Sequence, residues 1–246
     1  MQRLARRFGM LAVAVGLAAA TGGPAAAEPA AGLPDFGDAP DSNNSFGVAM
    51  PLYPGGPPAQ FPTNFQLGVV PTGAYHQNSG GPVYVLGSAI SAEQQADSGW
   101  DSDGPNNIKP LGPTADLDGG DDGLSLPPKF APCDTTKLVY KVTVFFTGST
   151  RAYLNLWSDW DSNGKWGDRL PCGAGRVADE WLVQNKPVTL TGPGTFTFVT
   201  PSFTSMGPTG KPQWIRITLS EAPNATRDGR GPGSGWQIGE TEDYQR

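Results

Sequence analysis

Residues 137–146 read Lys-Leu-Val-Tyr-Lys-Val-Thr-Val-Phe-Phe, and their period of two decides the fold class. In an extended chain Leu138, Tyr140, Val142, Val144 and Phe146 share one face. Val139, Lys141, Thr143 and Phe145 share the other, the arrangement of a half-buried strand. The turn Thr147-Gly148-Ser149-Thr150 follows, and then Ala152, Leu154 and Leu156 alternate with Tyr153, Asn155 and Trp157. That pattern predicts a second strand, antiparallel to the first across a hairpin. Further short strands are expected over 188–190, 195–199 and 214–219. In the last of these Ile215, Ile217 and Leu219 point inward, with Trp214, Arg216 and Thr218 outward. Short strands separated by Gly and Pro turns predict an all-β antiparallel sandwich of jelly-roll type. The chain holds 34 glycines and 25 prolines, and past its N-terminus it has no long periodic stretch rich in Ala, Leu, Glu and Lys, so little helix is expected.

Working outward, residues 28–130 carry fifteen of the 25 prolines, and Pro82 to Leu86 is one of their few strand-like runs. Proline cannot donate to a central ladder, so this half is expected to be turns, loops and short edge strands. Its apolar residues Phe36, Leu52, Phe65, Val69 and Val70 are too many for a linker and predict a coil laid on the neighbouring domain. The expected division is a signal peptide at 1–27, a coil-rich acidic region at 28–130 and a sandwich at 131–246.

Arg3, Arg6 and Arg7, the apolar run from Met10 to Ala20 and the small residues Ala25-Ala26-Ala27 follow the order of a cleaved export signal. No run approaches the roughly 20 apolar residues of a membrane helix, so a secreted chain without a membrane span is expected. The formal charge is −6 for the whole chain, and removing residues 1–27 takes away three arginines and no acids, which lowers it to −9. With no massed Lys and Arg, nucleic acid is excluded as a partner, and an acidic balance favours cations. Cys133 and Cys172 are the two cysteines, an even count in an exported chain. A disulfide closing about 40 residues is the economical reading, with two free thiols as the alternative.

The chemistry concentrates in Asp159-Trp160-Asp161-Ser162-Asn163-Gly164-Lys165-Trp166-Gly167-Asp168, directly after the second predicted strand. Asp159, Asp161 and Asn163 stand at loop positions 1, 3 and 5, Gly164 permits the sharp turn, and the Lys165 carbonyl supplies a further oxygen. Hard oxygen donors at this spacing suit calcium. Leu170 stands where an EF-hand has a bidentate Glu, so Asp168 or an acid from elsewhere must complete the site. The alternative is an Asp- and Asn-rich turn whose side chains cap their own backbone without a metal. Upstream, Asp97, Asp101 and Asp103, and Asp116, Asp118, Asp121 and Asp122, form two more acidic stretches, each a second ion site or a solvated turn.

The loop after a strand, 215–222 ahead of a glycine-rich stretch, and the terminal Gly239-Glu240-Thr241-Glu242-Asp243-Tyr244 together resemble the GEVED domain of secreted bacterial proteins. Asp35-Phe36-Gly37-Asp38-Ala39-Pro40-Asp41-Ser42 resembles the DFGDAPD motif that often precedes it. The resemblance implies an extracellular or surface β-sandwich and no particular reaction. GETEDY is too polar for a core strand. Glu240, Glu242 or Asp243 folding back to complete the 159–168 loop is one expectation, and charges solvating an edge strand is the other.

No enzyme is expected. His76 is the one histidine, a residue expected at the surface or in packing, no G-x-S-x-G elbow occurs and both cysteines are expected to be paired. A pair of carboxylates for glycoside hydrolysis is the remaining catalytic alternative. The rival to a calcium-dependent structural module is a carbohydrate-binding one, with Tyr153, Trp157, Trp160 and Trp166 stacking on sugar rings, unless those rings pack beneath the coil. Extracellular polysaccharide or a surface protein is the expected class of partner.

Overall fold

The computed structural model describes residues 35–41, 50–53, 55–63, 73–90, 120–127 and 129–246. Residues 1–27, read above as an export signal, together with Phe65, Val69, Val70 and the acids Asp97, Asp101, Asp103, Asp116 and Asp118, lie outside them.

Twelve strands and no helix are present among these residues: β1 (Tyr84–Leu86), β2 (Leu124–Ser125), β3 (Asp134–Thr136), β4 (Val139–Val144), β5 (Ser149–Ser158), β6 (Arg169–Pro171), β7 (Val177–Asp179), β8 (Trp181–Thr191), β9 (Gly194–Val199), β10 (Phe203–Ser205), β11 (Trp214–Ser220) and β12 (Gly239–Gln245). One four-stranded sheet places β4 between β9 on one side and β1 and β2 on the other. The second runs β12-β11-β5-β8, and two-stranded ribbons β3–β10 and β6–β7 flank them. All strand pairs are antiparallel. The sheets close on one core as a β-sandwich: Tyr140, Val142 and Val144 of β4 share an apolar cluster with Leu154 and Leu156 of β5 and with Ile215, Ile217 and Leu219 of β11. The alternation read from 138–146 is therefore real, but β4 and β5 are not a hairpin. They lie in different sheets, because residues 145–148 carry the chain across the core instead of folding it back edge to edge.

The outward face of β11 departs from expectation as well. Trp214, Arg216 and Thr218 are buried, and the segment ahead of the sandwich covers the first two, Trp214 donating to the Leu52 carbonyl and Arg216 to the Pro62 carbonyl. Leu52, Ala59 and Phe61 pack with Trp157, Trp166, Trp181 and Trp214 in a second apolar cluster. Phe36 and Leu52, two of the residues expected to be laid on the neighbouring sheet, are fully buried. Strands β11 and β12 and the ends of β5 and β8 near Trp157 and Trp181 are thus covered on both faces, whereas Arg151, Lys186 and Thr189 leave the outer face open at the far end of β5 and β8. Cys133 and Cys172 form a disulfide with Cα atoms 5.3 Å apart, tying the start of β3 to the end of the β6–β7 ribbon.

Candidate metal site at the end of β5

Strand β5 reaches its loop through an irregular register with β8. The pairing shifts between Leu154 and Leu156 and again between Leu156 and Trp157. Asn155 explains the shift. Its side-chain oxygen accepts the Trp181 Nε1–H at 3.0 Å and the Asn185 N–H at 2.8 Å, and Asn185 takes a positive φ of 47°. The bulge lays Trp181 parallel to Trp157, ring centres 5.7 Å apart, and brings Glu180, the residue just before β8, beside the end of β5. Ser158 N–H donates to the Glu180 carbonyl at 3.0 Å, and Asp159 N–H donates to the Trp214 carbonyl at 3.0 Å.

Inside the loop the Asp159 carboxylate accepts Asn163 N–H and Gly164 N–H, each at 2.9 Å. Asp161 accepts Asn163 N–H at 3.2 Å and the Asn163 amide at 3.1 Å. Gly164 has φ of 86°, a conformation a side chain would strain, and its carbonyl accepts Gln60 N–H at 2.7 Å, which docks the loop on the covering segment. Glu180 clamps both ends of the turn, accepting Trp160 N–H at 3.0 Å and Asp168 N–H at 2.9 Å.

Oxygens of Asp159, Asp161 and Glu180 lie within 4.8 Å of one another. Two oxygens that each sit about 2.3–2.6 Å from one calcium ion are at most about 5 Å apart, so the spacing fits a shared ion. Asp159 and Glu180 are fully buried, and Asp161 is the most solvent-accessible of the three. Burial, with the neighbouring Asp161 charge adding to it, pushes Asp159 up to about 7. Burial, with the charges of Asp159, Asp161 and Asp168 adding to it, pushes Glu180 up to about 8. Two desolvated carboxyls facing a third repel unless protons or a cation intervene.

Of the expected ligands, Asp159 and Asp161 come together. Asn163 presents its nitrogen, not its oxygen, to Asp161 and to Asp168, the latter at 2.8 Å. Its oxygen accepts Lys165 N–H at 3.1 Å. Asp168 is instead ion-paired with the Lys165 ammonium at 3.4 Å on the surface. The acid that closes the group is Glu180, which loop spacing did not reveal. Its signal lay twenty residues on, as an acid standing immediately before a strand that pairs with β5.

Glu240, Glu242 and Asp243 do not fold back to this loop. In the β12–β11–β5 register Glu240 stands opposite Leu219 and Leu219 opposite Leu154. That is five residues from Asp159, about 16 Å along a strand. GETEDY is also a fully buried strand, against expectation, because each polar group has a partner brought from far upstream. Glu240 accepts Leu86 N–H, and Glu242 accepts Gly123 N–H at 2.9 Å and the Tyr244 hydroxyl at 2.9 Å. Asp243 holds Arg216 through two bonds of 2.8 and 2.5 Å, both side chains being fully buried. The DFGDAPD stretch completes the arrangement. Asp35 accepts Thr241 N–H at 2.8 Å and Ala39 N–H donates to Asp243 at 2.7 Å, so two motifs some 200 residues apart are one structural unit. His76 is buried and stacks on Trp236 at 4.8 Å, a packing residue.

The aromatic residues do not form a platform. Trp157, Trp160 and Trp166 are 0, 1 and 4 % exposed, and Tyr153 alone of the four is partly accessible. Trp157 and Trp166 pack under the covering segment, and Trp160 meets Phe130 edge-on at 5.0 Å in the main core.

Residues 153–245 match the family model of the GEVED domain, a span that contains the 159–168 loop, Glu180 and the GETEDY strand. No curated protein and no solved structure was found to match.

Proposed function

We propose that this chain is an exported binding or structural module, not an enzyme, and that the 159–168 loop closed by Glu180 holds a calcium ion. One observation carries the reading: three carboxylates converge within 4.8 Å, and the two buried ones sit well above their ordinary pKa. An Asx-type turn explains the bonds from Asp159 to Asn163 and Gly164. It does not account for a third carboxylate, that of buried Glu180, within 4.8 Å of the same two aspartates. A divalent cation would neutralise the repulsion and displace the protons these groups otherwise hold. Export is supported by the leader-like residues 1–27 and the Cys133–Cys172 disulfide. Glycan recognition loses support from Trp157, Trp160 and Trp166, whose faces are covered.

Thermal melting of the purified chain with 1 mM calcium against chelator tests the reading. A dissociation constant of about 0.1–1 mM adds about 0.4–1.4 kcal/mol, a rise in Tm of about 1–6 °C. Glu180→Gln and Asp161→Asn should each abolish the rise. An equal rise in wild type and both variants would place the ion elsewhere.

A further inference from the structure

The edge strand β9 is built differently from β8, an edge strand of the facing sheet. Gly194–Val199 reads Gly-Thr-Phe-Thr-Phe-Val, with neither charge nor proline, and among the described residues it pairs with β4 alone. Strand β8, which pairs with β5 alone, carries Lys186-Pro187 beside the kinked Asn185. Charge, proline and bulges are how sheet edges are kept from pairing with other chains, and β9 has none of them.

The direction of its backbone groups follows from β4. Gly87 N–H donates to the Lys141 carbonyl, Lys141 N–H donates to the Gly123 carbonyl, and Phe145 N–H donates to the Val83 carbonyl. Odd-numbered residues of β4 therefore face β1 and β2, and even-numbered ones face β9. The Thr200 N–H bond to the Leu138 carbonyl fits the same parity. Opposite Tyr140 and Val142 stand Phe198 and Phe196, whose backbones are spent on β4. The N–H and carbonyl groups of Thr195, Thr197 and Val199 consequently point to the open edge, where no described residue pairs with them. Phe196 and Phe198 are only partly buried for the same reason, since among the described residues no strand covers their outer flank, and Val199 is 58 % exposed.

We propose that this edge binds a second copy of the chain, β9 pairing antiparallel with the partner's β9 about a two-fold axis at Thr197. The sequence is complementary to itself in that register. Thr195 meets the partner's Val199, Thr197 meets the partner's Thr197, and Phe196 meets the partner's Phe198. All three outward-pointing residues fall in hydrogen-bonded pairs, and the two phenylalanines cover each other's open flanks. An edge of six residues is about 20 Å long, which puts the contact at the weak, transient end of specific association.

Sedimentation velocity of the full chain from about 1 μM to 1 mM spans that range and tests the proposal. The wild type should shift from monomer to dimer. Thr197→Glu sets two carboxylates face to face at the axis while leaving each beside its own Lys141, and should weaken the dimer at least tenfold with an unchanged circular dichroism spectrum. Thr197→Pro removes the outward N–H alone and should do the same, whereas Thr197→Val should keep or tighten the dimer. A wild type that stays monomeric throughout overturns the proposal, as does a dimer indifferent to both Thr197→Glu and Thr197→Pro.

Discussion

Replacing Asp243 with asparagine should unfold much of what joins the N-terminal motif to the sandwich. In the native protein the Arg216 guanidinium is fully buried and makes two bonds to Asp243, with Nη1 donating to the Pro62 carbonyl at 2.7 Å and Nη2 to the Thr63 hydroxyl at 2.7 Å. Its plane also lies 4.5 Å from the Trp166 ring centre. A neutral amide in place of the carboxylate would leave that positive charge without its counter-ion in a dry site, and removing one member of a buried pair costs about 3–5 kcal/mol. At about 2–4 °C per kcal/mol for a domain of this size, the expected loss is about 6–20 °C in Tm, out of a total stability of about 5–15 kcal/mol. Calorimetry of wild type and Asp243→Asn measures it. Asp228→Asn is the control, because the Arg230–Asp228 pair is half exposed at 50 and 39 % and should contribute under about 1 kcal/mol. Equal, small losses in the two variants would show that the buried pair does not hold the motifs together.

The metal-free protein should be most stable in mildly acid solution. Burial holds Glu242 up at about 8, so the folded state keeps a proton the unfolded chain releases above about 4.5, and stability falls as pH rises from there to about 8. Burial lowers His76 to about 3, so the unfolded chain binds the extra proton below about 6.5, and stability falls as pH drops toward 3. Urea midpoints should therefore peak near about pH 5–6, and Glu242→Gln should make the alkaline side less steep, with Asp159 and Glu180 supplying the remaining fall. A midpoint that climbs steadily to pH 8 would contradict this. Replacing both Cys133 and Cys172 with serine opens a loop with a sequence separation of 39 and should lower stability by up to about 4 kcal/mol, read as a lower urea midpoint at similar slope.

The strands with one clean apolar face were legible because period two is a local signal: Leu138 to Val144 and Ile215 to Leu219 sit in the core as their alternation requires. Which strands pair is not local. Four residues between β4 and β5 serve a hairpin or a crossing between sheets equally well, and composition does not distinguish them. Arg216 read as an outward-facing residue and Asp243 as a loop ligand or an edge charge, because their partners Pro62 and Ala39 lie more than 150 residues away. GETEDY does stand at a sheet edge, with β12 next to β11, but its burial was not legible for the same reason. In the site, Asp159 and Asp161 were visible through their spacing and Gly164, whereas Glu180 reaches them only through the Asn155 bulge, a tertiary feature.

Calcium titration by calorimetry at pH 7, repeated in two buffers of different ionisation enthalpy, tests the metal site most directly. With Asp159 at about 7 and Glu180 at about 8, the free site holds more than one proton at that pH. One ion should bind with a dissociation constant of about 0.1–1 mM and release about one proton or more, and Glu180→Gln should lose both binding and proton release. Heats that are absent, or that carry no proton and survive Glu180→Gln, would contradict calcium at Asp159, Asp161 and Glu180.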